Sequence, residues 1–194
     1  MLSVSVVIPV YAGEKTLPEL IEELRGLSTP QLTPAGRGYR VSEVLLVWDR
    51  GPGRSDRTIR ELAERFEFVR PVWLSRNFGQ HPATLAGMTS AEGDWIVTMD
   101  EDGQQDPAFI GAMIDRAYAD EAQLVYASPT NDAPHGFFRN IASRSVKWLF
   151  VRVLSDQPFT EFNSYRLIQG EVARSVAAYT GNGVYLDVAL SWVV

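Results

Sequence analysis

The chain has 194 residues, 45% of them hydrophobic and 22% charged, with a formal net charge of −6 and no cysteine. This length fits one domain, and the composition is ordinary for a globular protein. The lack of cysteine excludes disulfides and thiolate metal sites and favours a reducing compartment, the cytoplasm. The acidic balance disfavours nucleic-acid binding, and we expect neither a secretory leader nor a membrane-spanning helix.

Strand-like and helix-like segments alternate along the first two thirds of the chain. Short runs rich in β-branched residues predict strands at 4–10, 41–48, 68–75, 95–99 and 124–127. Apolar residues three and four apart, with their capping residues, predict helices at 14–27, 55–66, 80–91 and 107–119. This alternation predicts an α/β fold whose mostly parallel, Rossmann-like sheet carries helices on both faces.

The pattern changes after residue 127. A polar, turn-rich segment at 128–136 predicts a loop, and 137–154 predicts one helix with an apolar side. The charged residues of this helix are all basic: Arg139, Arg144, Lys147 and Arg152. These residues indicate one of two things. They form a solvent-exposed helix face, or they form a binding site for an anionic acceptor or a membrane surface.

The last part of the chain predicts a strand at 159–168 and a helix at 171–179. The apolar segment 185–194 fits either a helix or a strand. Its apolar end favours a chain that continues past Val194. We find no linker between domains, and therefore expect residues 1–194 to be a single domain, truncated at its C-terminus.

An acidic loop follows the predicted strand at 95–99. In an extended segment alternate residues point the same way, so Asp100 and Asp102 can face one point while Glu101 faces the other side. Two carboxylates and an amide oxygen of Gln104 suit a hard divalent cation that also takes phosphate oxygens. A solvated acidic turn would have a similar sequence, and these residues alone do not decide between the two interpretations.

Polar residues also follow the other predicted strands, at their C-terminal ends. Tyr11, Asp49 and Asn77 occupy these positions, as Asp102 does after the fourth strand. In open α/β sheets, ligands bind beyond the C-terminal ends of the strands. The sequence therefore predicts that four separate loops converge on one crevice.

Two segments in order carry a resemblance to a known family. Residues 74–80 read LSRNFGQ and lead into a helix of small residues, and residues 99–107 read MDEDGQQDP. This pair resembles the inverting family 2 glycosyltransferases, and within them the dolichol-phosphate-mannose-synthase-like enzymes that use polyprenyl-phosphate acceptors. The resemblance implies a GT-A fold, a UDP- or GDP-sugar donor, Mg²⁺ or Mn²⁺, a single inverting displacement, and a cytosol-facing site at a membrane.

The resemblance also assigns roles to residues. It divides the chain into a nucleotide-sugar-binding half at 1–127 and an acceptor-side half at 128–194. The expected nucleotide-sugar-binding residues are Pro9, Tyr11, Glu14, Asp49, Asn77, Gln80, Asp100 and Glu101. The expected metal ligands are Asp100, Asp102 and Gln104, with Asp102 also counted as catalytic because the cation offsets charge that grows on the leaving group.

Two loops depart from the family pattern. Ala12 stands where relatives usually have asparagine. After the second strand, Trp48 replaces the first acid of the family's "VDDGS" segment, and the loop is longer. Asp49 keeps the ability to accept hydrogen bonds from a base or ribose, and Trp48 either stacks or packs. Uridine is the default expectation for the nucleotide.

The segment 162–167, FNSYRL, looks like the family's acceptor-side "GDFRLM" segment. Ser164 stands where many relatives have aspartate, so a general base does not carry over. A phosphate acceptor is already ionised at neutral pH, and we expect Arg139, Arg144 and Arg166 to orient and neutralise it. Asp187 is another candidate base.

Other functions remain open on the sequence alone. A nucleotidyltransferase can share this fold and cation, yet the segment 11–15 is a poor version of its Gly-rich phosphate loop. A binding module without turnover is a third hypothesis, and self-association is compatible with all three. A dinucleotide-dependent dehydrogenase is disfavoured, because no G-x-G-x-x-G follows the first strand.

Overall fold

The computed structural model describes residues 1–129, 149–153, 164–181 and 186–191. Its strands are Leu2–Val10 (β1), Gln31–Leu32 (β2), Gly38–Trp48 (β3), Val69–Trp73 (β4), Trp95–Thr98 (β5), Leu124–Pro129 (β6), Leu149–Val153 (β7) and Arg166–Gln169 (β8). Its α-helices are Leu17–Leu27 (α1), Ser55–Arg65 (α2), Gln80–Ser90 (α3), Ile110–Ala119 (α4), Gly170–Tyr179 (α5) and Leu186–Leu190 (α6).

The strands form one mixed sheet. Its order is β2–β3–β1–β5–β8–β6–β7, and β4 also pairs with β3. The central pairs β1–β3, β1–β5 and β3–β4 are parallel. The pairs β5–β8, β6–β8, β6–β7 and β2–β3 are antiparallel. The predicted α/β class is confirmed, with the parallel part made by the first half of the chain.

Helices cover both faces of this sheet. The apolar sides of α1, α2 and α4 pack with Val6, Leu46 and Val97 on one face. The apolar sides of α3, α5 and α6 pack with Val7, Leu45 and Ile168 on the other face. Since neighbouring residues of a strand point to opposite faces, β1 and β3 contribute side chains to both cores. Of the described helices, none combines the length and apolar character needed to cross a bilayer.

Helix α3 packs closely against the sheet, and its N-terminus lies beside the strand ends. An ideal Cβ at Gly87 would lie 2.3 Å from Val7 Cγ1 and 2.9 Å from Val47 Cγ2. Only glycine fits this approach without displacing both strands. The helix begins at Gln80 directly after Gly79, whose φ of 92° is accessible to glycine and strained for other residues.

Two predicted segments differ in the structure. The helix predicted at 137–154 is wrong over Leu149–Val153, which form β7 and pair antiparallel with β6. This stretch is short, β-branched and aromatic, so an available strand partner outweighs the helical spacing of its apolar residues. Residues 28–39, for which the sequence pattern predicts a loop between the first helix and the second strand, contain β2 and the first residues of β3.

The remaining differences concern ends and uncertain segments. Residues 107–109 form a 3₁₀ turn, and α4 begins at Ile110. Part of the strand predicted at 159–168 lies outside the described residues, and the described strand is Arg166–Gln169. Within the apolar end, Leu186–Leu190 are helical.

Candidate active site

A cleft opens where the parallel strands end. It measures about 390 Å³ and is lined by Pro9, Val10, Tyr11, Asp49, Asn77, Gly79, Gln80, Asp100, Glu101 and Asp102. These residues lie at or directly beyond the C-terminal ends of β1, β3, β4 and β5, which meet at one edge of the sheet because the strands are parallel. Of the predicted nucleotide-sugar-binding residues, only Glu14 does not line this cleft.

A second cleft, of about 480 Å³, lies at the other end of the sheet. Met1, Leu2, Pro30, Gln31, Leu32, Arg37, Gly38 and Tyr118 line it. Arg37 is its one charged residue, and its guanidinium lies 4.2 Å from the ring centroid of Tyr118. The described residues that line this larger opening include no carboxylate side chain, whereas Asp49, Asp100, Glu101 and Asp102 line the cleft at the C-terminal strand ends.

Asp100 is the most firmly held side chain of the cleft. Its Oδ1 accepts a hydrogen bond from Gln80 Nε2 at 2.6 Å. Its Oδ2 accepts from Gln105 Nε2 at 3.0 Å and, in a shorter contact, from Ser164 Oγ. The backbone N–H of Asp100 donates to Gln105 Oε1 at 2.9 Å. Three elements thus fix this carboxylate: α3, the acidic loop itself and the segment before β8.

Asp102 stands on a tight turn beside it. Its Oδ1 accepts from the backbone N–H of Gln104 at 3.0 Å, and Gly103 supplies the turn with a φ of 71°. The Asp102 side chain lines the cleft. The Gln104 side chain is exposed and does not line the cleft, and it is the neighbouring Gln105 that reaches Asp100. Gln105 therefore contacts Asp100 both as a donor, through Nε2, and as an acceptor, through Oε1. The role of Gln104 as a metal ligand stays a prediction.

The chemistry of this donor set fits a hard divalent cation. Asp100 and Asp102 present carboxylate oxygens to one cleft, and Mg²⁺ commonly binds through one or two carboxylates plus substrate phosphates and water. No group of three or more His, Cys, Asp or Glu side chains able to hold a metal occurs in the part of the chain that the structure describes. A cation here would therefore take further oxygens from water or from a bound diphosphate.

Glu101 lines the same cleft as Asp100 and Asp102, and it lies in a turn rather than in an extended segment. Its carboxylate accepts hydrogen bonds from the backbone N–H groups of Tyr11 at 3.0 Å and Ala12 at 2.9 Å. Burial raises the pKa of Glu101, and the N–H groups of Ala12 and Tyr11 oppose this shift. Glu101 thereby joins the acidic loop to the loop after β1.

Asp49 holds the loop in front of α3. It is only 4% exposed, and its two carboxylate oxygens accept from the N–H groups of Phe78 at 2.7 Å and Gly79 at 2.8 Å. The Asn77 side chain also accepts from the Gly79 N–H, at 3.0 Å. Asp49 and Asn77 both line the cleft, as expected, and both accept a hydrogen bond from the backbone N–H of Gly79.

The loop after β3 is anchored on the loop after β1. The Glu14 carboxylate accepts from the backbone N–H of Arg54 at 2.5 Å. This contact explains why Glu14 does not line the cleft: its acidic group connects two loops. Trp48 packs edge-on against Trp73, with ring centroids 5.6 Å apart, and the Arg50 guanidinium lies 5.1 Å from its ring. Of the two alternatives for Trp48, the structure has it packing within the protein.

Arg166 and Asp187 form an ion pair inside the protein. Arg166 Nε lies 2.8 Å from Asp187 Oδ1, and the two side chains are 5% and 8% exposed. The Tyr126 hydroxyl donates to the same Asp187 oxygen at 2.9 Å, and burial raises the pKa of Tyr126 strongly. Neither charged group lines the cleft. The positive charge expected from Arg166 is thus already matched, and so is the carboxylate considered as a base.

Two predicted acceptor-side residues, Arg139 and Arg144, lie outside the described residues, as do residues 162 and 163 of the segment 162–167. Ser164 is described, and it contacts Asp100 and Gln105. Sequence reasoning missed both of these contacts. The departure from aspartate at position 164 was the one available signal, because it marked a polar residue at a position expected near the site.

Comparison with known proteins shows which family and which relatives the chain resembles. The family model described as "Glycosyl transferase family 2" matches residues 5–179. Two curated relatives, from two strains of Klebsiella pneumoniae, are named undecaprenyl-phosphate 4-deoxy-4-formamido-L-arabinose transferase. They are 39% and 37% identical to the chain over 153 residues, which cover 77% of the chain and 43% of each relative. The chain thus spans less than half the length of these relatives.

Solved structures show the same fold at low identity. The crystal structure of S. aureus TarS 1–349 matches with a TM-score of 0.62 and 16% identity, covering 97% of this chain and 53% of that one. The same protein in complex with UDP matches with a TM-score of 0.63 and 15% identity, covering 97% and 54%. The expected GT-A fold is confirmed.

The resemblance drawn from segments 74–80 and 99–107 is also confirmed. The family match spans most of the chain, and the two relatives share more than a third of the aligned residues. The chain belongs to glycosyl transferase family 2.

Proposed function

We propose that this chain carries the catalytic part of an inverting glycosyltransferase that moves a sugar from a nucleoside-diphosphate donor to a polyprenyl phosphate. The observation that carries the proposal is the shared cleft, in which Asp100 and Asp102 meet the ends of β1 and β3. The names of the Klebsiella pneumoniae relatives support a lipid-phosphate acceptor.

The donor side of the reaction rests on Asp100 and Asp102. A bound Mg²⁺ or Mn²⁺ would supply positive charge that stabilises the departing diphosphate. The chain's own contribution is to hold the two carboxylates ready: Asp100 through Gln80, Gln105 and Ser164, and Asp102 through the Gln104 N–H. Such fixed charges need little reorganisation during the reaction.

The acceptor side needs little proton removal. A phosphate monoester has a second pKa of about 6, so it is largely ionised at neutral pH and can attack without a general base. Ser164, in the place of the family's aspartate, is consistent with this. We assign the neutralisation of the acceptor phosphate to Arg139 and Arg144, and we assign Arg166 a positioning role because its charge is paired with Asp187.

A lipid acceptor implies that the cleft works at a membrane surface, and we place it on the cytosolic side, where the resemblance puts the donor. The basic residues Arg139 and Arg144, in an otherwise acidic chain, support such a contact. Sedimentation with vesicles containing a polyprenyl phosphate tests it. Salt-sensitive binding to these vesicles would support the placement, and equal binding to neutral vesicles without the lipid phosphate would contradict it.

The activity is tested by nucleoside-diphosphate release. The purified chain is incubated with undecaprenyl phosphate, Mn²⁺ or Mg²⁺, and UDP- or GDP-sugars in parallel. Release should need both the lipid phosphate and the cation, and should be lost in Asp102→Asn. Asp120→Asn is the matched control, because Asp120 pairs with Arg116 on α4, away from the cleft, at 2.5 Å.

The alternative functions give different results in the same assay. A nucleotide sugar that binds in calorimetry without any nucleoside-diphosphate release, with every donor and acceptor tried, would identify a binding module. Pyrophosphate release from a nucleoside triphosphate and a sugar phosphate would identify a nucleotidyltransferase. Either result would contradict the proposed reaction.

A further inference from the structure

We propose that Ser164 is a positioning residue that fixes the Asp100 carboxylate for cation binding. This inference rests on the proposed function, because it treats Asp100 as a ligand of the donor's cation. It goes further by assigning a task to the residue that replaces the family's aspartate. That task belongs to the donor side, although Ser164 comes from the acceptor-side half of the chain.

The direction of the hydrogen bonds supports this role. Gln105 Nε2 donates to Ser164 Oγ at 2.7 Å, so that the serine oxygen acts as an acceptor there. A serine hydroxyl has one proton, and Ser164 directs it to Asp100 Oδ2. The same Gln105 amide also donates to Asp100 Oδ2, at 3.0 Å. Ser164, Gln105 and Asp100 thus form a closed triangle of hydrogen bonds with a defined direction.

The backbone of Ser164 is itself held by a buried network. Its carbonyl oxygen accepts from the Thr98 hydroxyl at 2.6 Å, and Arg166 Nη1 lies 3.4 Å from the oxygen of that hydroxyl. Thr98 and Arg166 are directly paired between β5 and β8. The ion pair with Asp187 keeps Arg166 in place. The buried ion pair of Arg166 and Asp187 is therefore linked to Asp100 through Thr98 and Ser164.

This arrangement limits how Asp100 can bind a cation. A carboxylate has about four acceptor positions. Side chains among the described residues fill three of those of Asp100, from Gln80, Gln105 and Ser164. We expect the remaining position to take the cation. A hydroxyl at position 164 can hold Asp100 in this way without adding a second negative charge beside it.

The test measures the affinity of the full chain for Mn²⁺ in the presence of UDP. Calorimetry and the electron paramagnetic resonance signal of unbound Mn²⁺ give this affinity independently. Ser164→Ala should weaken Mn²⁺ binding about tenfold, the lower end of what loss of an outer hydrogen-bond partner costs at metal sites. Ser164→Thr, which keeps the hydroxyl, should bind Mn²⁺ as the parent does. The melting temperature of Ser164→Ala should stay close to that of the parent.

Ser28→Ala is the matched control. The Ser28 hydroxyl donates to the Arg25 carbonyl oxygen at the C-terminal end of α1, away from the cleft. Its Mn²⁺ affinity should equal that of the parent. Gln105→Ala provides a second variant, and it should weaken Mn²⁺ binding as well, because it removes another donor from the same triangle.

The outcomes separate this inference from the function it rests on. Parent-like Mn²⁺ affinity in both Ser164→Ala and Gln105→Ala would overturn the positioning role alone. Failure of the parent chain itself to bind Mn²⁺ in the presence of any nucleotide would overturn the proposed function together with this inference. A large fall in melting temperature in Ser164→Ala, with equal Mn²⁺ affinity after correction for the folded fraction, would also overturn it.

Discussion

Gly51 lies directly against the carbonyl oxygen of Tyr11: an ideal Cβ at position 51 would fall 1.6 Å from that oxygen. This approach brings the loop after β3 onto the loop after β1. The neighbouring contact between Glu14 and the Arg54 N–H joins the same two loops. A side chain at position 51 must therefore push apart two backbone segments that form one wall of the cleft.

Replacing this glycine should damage both stability and binding. We expect Gly51→Ala to lower the free energy of unfolding by about 1–3 kcal/mol, the usual cost of forcing extra atoms into packed structure. It should also weaken nucleotide-sugar binding. Urea denaturation and calorimetry measure the two effects. Gly26→Ala is the control, because a Cβ there meets nothing within 4 Å and Gly26 lies inside α1, so it should stabilise by about 0.5–1 kcal/mol.

Asp49→Asn tests the link between β3 and the loop in front of α3. An asparagine keeps one acceptor oxygen and places an NH₂ group against the N–H of Phe78 or Gly79. A buried N–H left without an acceptor costs about 1–3 kcal/mol. We expect the free energy of unfolding in urea to fall by this amount, with weaker nucleotide binding. Unchanged values for both would show that Asp49 does not hold the loop.

The pair between Arg166 and Asp187 makes a strong prediction for stability. Asp187→Asn leaves the Arg166 guanidinium buried without a counter-charge, which typically costs about 3–5 kcal/mol. The double variant Arg166→Met with Asp187→Leu should recover a large part of this loss, because no isolated charge remains. Urea denaturation of the parent, of Arg166→Met, of Asp187→Leu and of the double variant gives the coupling energy. A loss below about 1 kcal/mol in Asp187→Asn would contradict the pairing.

Asp94 should make the free energy of unfolding depend on pH in the acidic range. The N–H and hydroxyl of Ser3 donate to its carboxylate at 2.8 and 2.7 Å, and these bonds, the N–H first, lower its pKa from the ordinary value of 3.8. A carboxyl pKa that is lower in the folded state adds stability above pH 3.8, and this contribution is lost as the pH falls through the folded value.

Asp94→Asn should therefore be less stable than the parent at pH 7, by about 1 kcal/mol or less, because Asp94 is exposed and solvent screens the interaction. The difference should narrow below pH 3.8. Urea denaturation of both proteins across this range measures it. A difference that stays constant down to the acid limit would show that protonation of Asp94 is not involved.

The parallel part of the fold could be predicted from local sequence. The segments that became β1, β3, β4 and β5 carry short apolar runs, and α1 to α4 carry helical spacing, so each element is encoded within its own residues. The segment that became β6 also carries such a run, although its pairs with β7 and β8 are antiparallel. The reversed direction of β8 and the pairing of β7 with β6 depend on partners far along the chain. No local pattern at 149–153 indicates which strand this segment pairs with. The helical spacing of its apolar residues predicts a helix, whereas the structure has a strand.

The candidate site was predictable at the level of loops and less so at the level of atoms. Strand ends placed Tyr11, Asp49 and Asp100 at one cleft, because parallel strands share an edge. The choice between Gln104 and Gln105 depends on how the chain turns at Gly103, with its φ of 71°. Which oxygens face inward at Asp49 and Glu101 likewise depends on neighbouring backbone N–H groups, which a residue pattern does not specify.

The position of β8 beside β5 has a consequence for any shortened version of this protein. A fragment ending at residue 129 would keep all four cleft loops but would lose the strand that covers β5. The row of N–H and C=O groups along β5 would then be open to other chains, which is how unprotected sheet edges begin to aggregate. Soluble fragments for biochemistry must therefore extend through Gln169, the last residue of β8.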